Sequence, residues 1–554
     1  MILAALIFMA AVSTSFIDKS EKIYFLPDSP IVNVAVAAAV LILGTLLCLY
    51  RRKRGESRFA ALCDRIEEDG AFFKKLRKNL LIFCWVLVSI WVLCTQITPG
   101  ADQNSTLAAA RSIAEGKFAA SDYINHIYLY NNLIGWTLLE YLIGRVFGSN
   151  NYLVYQLMNA GFAVLIIREL SLLGGHFGLS RVGQLFCILL SMAFAPIALY
   201  SSFVYGTLSG LFFSLLAVRM EIAFFESGKW HQALLCGVCA AFSVLLKMNY
   251  LIFFVGILLY ALVNIPGKKK KHLLIVAFLA LSIAAQAKLP GYILGKMSGQ
   301  DVPEGCSMWA WAAMGLQEGM NPGWYNNYNQ MTLEQSGFDV EKQAAWAKTD
   351  LKLRIAELWQ NKDYAREFFV RKTASQWNEP SFQSLWISMR DENSREGALR
   401  MTWPGALLSP AGNNSLTSVL NYLNFVILCG AMLYVLLCHS SGDFGKVMIF
   451  AMIFIGGFLF HLVWEAKGQY TMPYFVLLIP MAVQGYSTAA GRLATPGGEA
   501  ARASVSCTTM GKAAVIRAIL LLAAFVLLCY VFNGTLGGIT GDTQAYLEYL
   551  TVVE

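Results

Sequence analysis

The sequence predicts an all-α polytopic membrane protein, and three observations carry that expectation. Only 14% of the 554 residues are charged, against about 25% in a soluble domain. Hydrophobic residues make up 57%, and the mean hydropathy is +0.53. Several apolar runs reach the ~20 residues that a spanning helix needs.

Thirteen spans can be read in order, at about 1–16, 31–50, 79–98, 151–173, 182–203, 205–225, 231–247, 249–265, 272–290, 416–438, 446–463, 471–488 and 513–532. The first is short, with no Lys or Arg before it; it also fits a cleaved signal, but no small-residue cleavage site stands out, so it is kept as a span. The pair 231–247 and 249–265 also fits one long tilted helix plus a re-entrant piece.

Loop charge orients the set. RRKR at 51–54, Arg58, Arg65 and KKLRK at 74–78 crowd one loop. KKKK at 268–271 and Arg492, Arg502 and Lys512 mark two more. Thirteen spans with the N-terminus inside put all three on the cytoplasmic side. The net charge of +8 therefore reports orientation and not a nucleic-acid partner. Most of the 12 cysteines, such as Cys84, Cys187 and Cys429, lie in apolar runs and act as small hydrophobes. Cys236 and Cys239 have no second pair to complete a metal site.

The chain divides into N-terminal spans with a basic loop (1–98), a first outer loop (99–150), a central bundle (151–290), a tryptophan-rich outer unit (291–415), a C-terminal bundle (416–532) and an outer tail (533–554). The Ala-, Gly-, Ser- and Thr-rich stretch 489–512 reads as a connector.

In the first outer loop, Leu107, Ala108, Ala110, Ile113 and Ala114 share one helical face, with Asn104, Ser105 and Thr106 able to cap it. Residues 122–148 suit a second interfacial helix, rich in Tyr and Trp. Asp102 and Gln103 then stand at the mouth of the bundle. Asp102 reads either as a turn or capping acid or as a catalytic one.

A second constellation, HLVWEAKGQYTMPY at 461–474, falls at the outer end of another span. His461 and Glu465 are four apart and share a face if the helix continues. Ionisable groups near membrane depth are functional candidates by default, although Glu465 and Lys467 also suit an exposed pair at a helix end. Lys247, in LLKMNY, falls near the outer end of its span, where it either snorkels or meets an anionic headgroup. Lys372 and Trp377, in RKTASQWNEP, are outer-unit candidates of the same kind.

Asp102-Gln103 directly after a span, Tyr123, Tyr128 and Tyr130 behind it, short paired spans and the late turn HLVWEAKGQYTMPYFVLLIP together resemble the bacterial GT-C-type membrane glycosyltransferases. That family includes dolichyl-phosphate-mannose protein mannosyltransferases and aminoarabinose transferases. The resemblance covers roughly 79–488. It implies a GT-C-like fold in the cell membrane, a polyprenyl-phosphate sugar donor, an extracytoplasmic acceptor and an outward-facing site among membrane lipid.

By resemblance, Asp102 is the base; the leaving phosphate needs positive charge, which Lys467, Lys247 and Lys372 would supply. His461 and Glu465 orient acceptor, sugar or lysine. Tyr123, Tyr470, Trp464 and Trp377 stack on sugar or shape the lipid groove. Gln103 and the weaker pair Asp122 and His126 stand at the same mouth. Relatives often carry Arg where this chain has Gln469, a departure from the family pattern. An acid beside a phosphate can take a divalent metal, but no ligand cluster in the sequence demands one. Two other classes stay open: a lipid-linked sugar flippase or transporter, against which stands the lack of a visible inverted repeat, and a non-catalytic membrane subunit. Sequons stand at 104–106, 413–415 and 533–535, and they would carry little weight if the source is bacterial.

Overall fold

The computed structural model describes residues 1–53, 57–118, 122–266, 270–389, 403–437, 444–495, 523 and 540–552. Among these, helices dominate and one antiparallel pair of strands forms the only sheet. Six helices are long and apolar enough to cross a membrane: Pro30–Lys53, Gly70–Thr95, Tyr152–Phe177, Thr207–Ser227, Lys270–Ser298 and Pro410–Leu437. A seventh crossing follows if Arg181–Ala193 and Pro196–Ser202, bent by 60°, form one broken span. Composition and these helices make this an α-helical membrane protein.

The other expected spans fall on shorter pieces. Trp230–Leu246, Met248–Asn264 and Val447–Val463 are apolar helices of 10–17 residues. The stretch 471–488 divides into Gly468–Phe475 and Leu478–Leu493. Pro480 lies just past that break and has no N–H to carry a helical ladder across it. The expected span 513–532 lies outside the described residues, as does most of the 489–512 connector.

Residues 1–16 depart from expectation. Their helix, Ile2–Val12, has 11 residues, about 16 Å of rise against a hydrocarbon core of about 30 Å. The chain then forms strand β1 (Ser13–Ile17) and returns as β2 (Ile23–Pro27), with Ile17 opposite Ile23. The C-terminal helix Thr543–Val552 closes over this hairpin. Tyr546 stands 4.9 Å edge-on from Phe16, and the Asp542 carboxylate accepts the Phe25 N–H at 3.1 Å.

Pro30–Lys53 leads from the hairpin to the opposite, basic end of the bundle. There an Arg52 N–H reaches the Ala494 carbonyl at 3.5 Å, Arg492 donates to the Leu437 carbonyl at 2.8 Å and Lys271 to the Gly228 carbonyl at 3.3 Å. Arg52, Lys271 and Arg492 thus give one contact from each basic stretch, while Arg54, Lys268, Lys269, Arg502 and Lys512 lie outside the described residues. Close helix packing uses small residues, as membrane helices do. A Cβ on Gly485 would sit 2.0 Å from the Gly430 carbonyl oxygen.

The outer unit contains Met308–Gly315, Tyr328–Gln335, Val340–Gln360, Lys362–Trp377 and Ser384–Met389. Local signals start these helices. Asp339 accepts the N–H groups of Glu341 and Lys342 at 3.1 and 3.0 Å, and Asn361 accepts that of Tyr364 at 3.1 Å. The first outer loop holds three helices where two were expected: Asp102–Ala114, Asp122–Leu129 and Ile134–Phe147.

Candidate functional site

The first outer helix starts at Asp102 itself, at least three residues earlier than the Asn104–Thr106 caps suggest. Ala101 precedes it with φ +48°, an unusual conformation for a residue with a Cβ, and no side-chain cap forms. What holds this start is Gln103. Its Oε1 accepts the Val204 N–H at 3.0 Å and the Tyr152 hydroxyl, and its side chain is buried. Gln156 pins the approach through the Ile97 carbonyl at 2.8 Å. Asp102 is thereby fixed with its side chain 56% exposed, toward a cavity of about 700 Å³. Tyr205 donates to its Oδ2 at 3.0 Å, and His126 Nε2 stands 3.7 Å from its Oδ1. Burial holds the His126 imidazole below its ordinary range, with Asp102 opposing that shift.

Two lysines face the same cavity. Lys247 stands where the short helices Trp230–Leu246 and Leu251–Asn264 meet. Its ammonium donates to Thr207 Oγ1 at 2.9 Å and Gln469 Oε1 at 3.3 Å, both uncharged, and lies 4.7 Å from the centre of the Tyr205 ring. Lys467 lies in the turn between Phe444–Val463 and Gly468–Phe475 and pairs with Glu21 at 3.2 Å.

Glu465 shares that turn and the cavity wall, accepting from the Tyr470 hydroxyl at 3.3 Å. Burial pushes its carboxyl up to about 7; Asp102 and Glu21 push the same way while Lys467 and the Tyr470 hydrogen bond oppose. A carboxyl that binds protons more tightly folded than unfolded adds stability at low pH and loses it as pH rises through the folded value. Wild-type protein should therefore lose on the order of 2–3 kcal/mol between about pH 4.5 and 7 at this group. Glu465→Gln should flatten that part of a melting-temperature profile, and an unchanged slope would remove Glu465 as its source.

Trp464, Gln469 and Tyr470 complete the predicted residues that line the cavity. His461 is fully buried behind the wall, with Nδ1 3.3 Å from the Glu465 carbonyl oxygen and its own carbonyl accepting from Gln376 at 3.1 Å. Trp377 is packed against Phe454, Phe458 and Tyr474. Lys372 is also fully buried, its ammonium donating to the carbonyls of Gly315 and, at 2.8 Å, Trp464. Burial pushes that amine down to about 7, with Glu465 opposing. Lys372 thus ties the outer unit to the Trp464–Lys467 turn and stands apart from the cavity. The side chains of Asp122 and Tyr123 lie outside the described residues.

Glu21, which lines the cavity, drew no attention in the sequence. Its setting, DKSEK, looks like any solvated polar link. Among the described residues, no three of His, Cys, Asp or Glu come together as metal ligands.

From this polar end the cavity continues along Leu251, Ile252, Val255 and Leu259 on one helix and Met452, Gly456 and Phe460 on another. A Cβ on Gly256 would lie 2.5 Å from Ile453 Cγ1, so these helices pack closely along the seam. Val255 and Leu259 are 45% and 47% exposed. The lane therefore reaches the flank of the bundle that apolar side chains present outward.

No protein-family model and no curated protein matches this chain. Among solved structures it is similar to the archaeal oligosaccharyltransferase AglB from Archaeoglobus fulgidus, in complex with an inhibitory peptide and a dolichol-phosphate. The TM-score is 0.36 at 13% sequence identity, over 84% of this chain and 56% of that one. The chain thus spans a little over half the length of that protein.

Proposed function

We propose that this protein is an integral-membrane glycosyltransferase. It moves a sugar from a polyprenyl-phosphate donor to an acceptor on the extracytoplasmic face of the cell membrane, with Asp102 as base. The observation that carries this reading is the shape and chemistry of one cavity. An exposed carboxylate and two ammonium groups meet at its polar end, and an apolar lane leads from there to the lipid-facing flank. A lipid-linked phosphosugar has that same division between water-seeking head and apolar tail.

The reaction assigns each group a task. The acceptor hydroxyl attacks the anomeric carbon, Asp102 takes its proton, and the bond from that carbon to the phosphate oxygen breaks. The leaving phosphate gains negative charge, which Lys467 and Lys247 stabilise. Gln469 accepts from Lys247, so that amine, when protonated, would bring charge beside position 469. Tyr205 holds the base in place through its hydrogen bond, His126 stands beside it, and Tyr470 and Trp464 wall the sugar. Gln469, Glu465 and Tyr470 serve positioning and sugar contact more than chemistry.

The deciding test is transfer from radiolabelled polyprenyl-phosphate sugars by purified protein in lipid. Labelled product is expected, and would name the donor sugar. Donor that binds, or crosses the bilayer, without transfer to any supplied acceptor would overturn the enzyme reading in favour of a flippase or helper subunit. Lys467→Ala should weaken donor affinity about tenfold, a loss of about 1.4 kcal/mol, with a smaller effect on turnover. Equal donor affinity in titrations of variant and wild type would take the phosphate contact away from Lys467.

A further inference from the structure

The N-terminal hairpin brings one carboxylate into the cavity from a part of the chain distant in sequence from the other site residues. We propose that Glu21 is a built-in counter-ion: it holds the Lys467 ammonium at the cavity wall while the site is empty and yields it to an incoming phosphate. This rests on the donor reading above.

Glu21 occupies the turn of the hairpin with φ +73°. That conformation is uncommon for a residue with a Cβ and persists when surrounding structure over-determines it. Here the surroundings do so. The Glu21 N–H donates to the Asp18 carbonyl at 3.1 Å, and the Glu21 carbonyl accepts from Asn321 Nδ2 at 2.8 Å. Asn321 Oδ1 in turn accepts the Ile23 N–H at 3.0 Å. The Asp18 carboxylate gathers the N–H groups of Ser20 and Lys22 and the hydroxyls of Ser20 and Tyr24.

None of these turn bonds uses the Glu21 side chain. Its Oε1 accepts instead from Lys467 Nζ at 3.2 Å and from Gln383 Nε2 at 3.0 Å. A second unusual segment thus converges on the same oxygen, since Phe382 and Gln383 have φ +49° and +64°. Gln383 also accepts the Gln469 N–H at 3.1 Å. Through Gln469 this joins Glu21 to Lys247, so both candidate phosphate cations are tied to one network. The pair is sheltered, with side chains 22% and 15% exposed for Glu21 and Lys467. Burial disfavours the Lys467 ammonium, but Glu21, then Glu465 and Asp102, more than offset it and hold its pKa above the ordinary range.

A phosphate arriving at Lys467 meets that carboxylate as a competitor. The anion must displace Glu21 or bind beside it against like-charge repulsion. Two readouts on Glu21→Gln in lipid nanodiscs separate this from a structural role. The first is acylation of Lys467 as a function of pH, followed by mass spectrometry. Loss of the counter-ion should raise the labelling rate near pH 8 about tenfold, one unit of pKa being a factor of ten. The second is binding of farnesyl phosphate, expected to tighten about three- to tenfold.

Unchanged labelling would overturn the pairing. Faster labelling with equal or weaker farnesyl phosphate affinity would overturn the competition. If neither wild type nor variant binds farnesyl phosphate while labelling still accelerates, the donor reading fails and the competition with it, but the pairing of Glu21 with Lys467 stands. Glu21→Asp keeps the charge on a shorter arm and should fall between wild type and Gln. It serves for both readouts if the Gln variant does not fold.

Discussion

Asp102→Asn should abolish sugar transfer, lowering turnover by ~10²–10⁴, the usual contribution of a well-placed acid or base. The substitution is nearly isosteric. An asparagine Oδ1 can still accept from Tyr205, which donates to Asp102 at 3.0 Å. The helix start is held by Gln103 and its partners Val204 and Tyr152, not by the Asp102 side chain. Folding should therefore survive, and Lys247 and Lys467, the proposed phosphate contacts, are untouched. Melting temperature and donor affinity near wild type, with product formation lost, is the expected pattern. An Asn variant that transfers at the wild-type rate would remove Asp102 from the mechanism.

Lys372→Met should produce the second large effect, on stability and turnover together. The ammonium joins the carbonyls of Gly315 and Trp464 in a fully buried place. Methionine fills similar volume but donates nothing, so two buried acceptors lose a partner at ~1–3 kcal/mol each. Part of that is returned because the costly burial of a charged amine disappears. A net loss of about 2–4 kcal/mol is expected. The turn it releases carries Glu465 and Lys467, and misplacing reacting groups by about 1 Å can cost 10²-fold in rate. Arginine should not rescue. A Cβ on Gly323 would already lie 2.8 Å from Lys372 Cε and 2.9 Å from its Nζ, so there is no room for a larger head. Thermal unfolding and single-turnover transfer check both halves. A Met variant with wild-type stability would show that the two carbonyls find other donors.

How far the site could be read from the chain depends on the kind of signal each residue leaves. Asp102, Glu465 and Lys467 were legible because each stands just beyond an apolar run, and the three line one cavity. Lys247 was legible as a lone charge in an apolar stretch. Lys372 left a weaker signal, a cation in the polar stretch RKTASQWNEP, and its amine is spent on backbone carbonyls. No local pattern distinguishes a lysine that serves a ligand from one that serves the fold. Glu21 left none, because a polar turn between two apolar runs is the commonest thing in a membrane sequence.

By itself the sequence determined the class of protein and the existence of long spans near 31–50 and 79–98, although the second helix, Gly70–Thr95, starts nine residues earlier and takes in the KKLRK run. Class and spans follow from composition and run length, which act locally. Only the tertiary structure decided that residues 1–16 stop short of a span and turn into a hairpin. The same holds for the meeting of Glu21 with Lys467. Contacts hundreds of residues apart in sequence made these choices, and a buried charge takes its role from the groups packed around it.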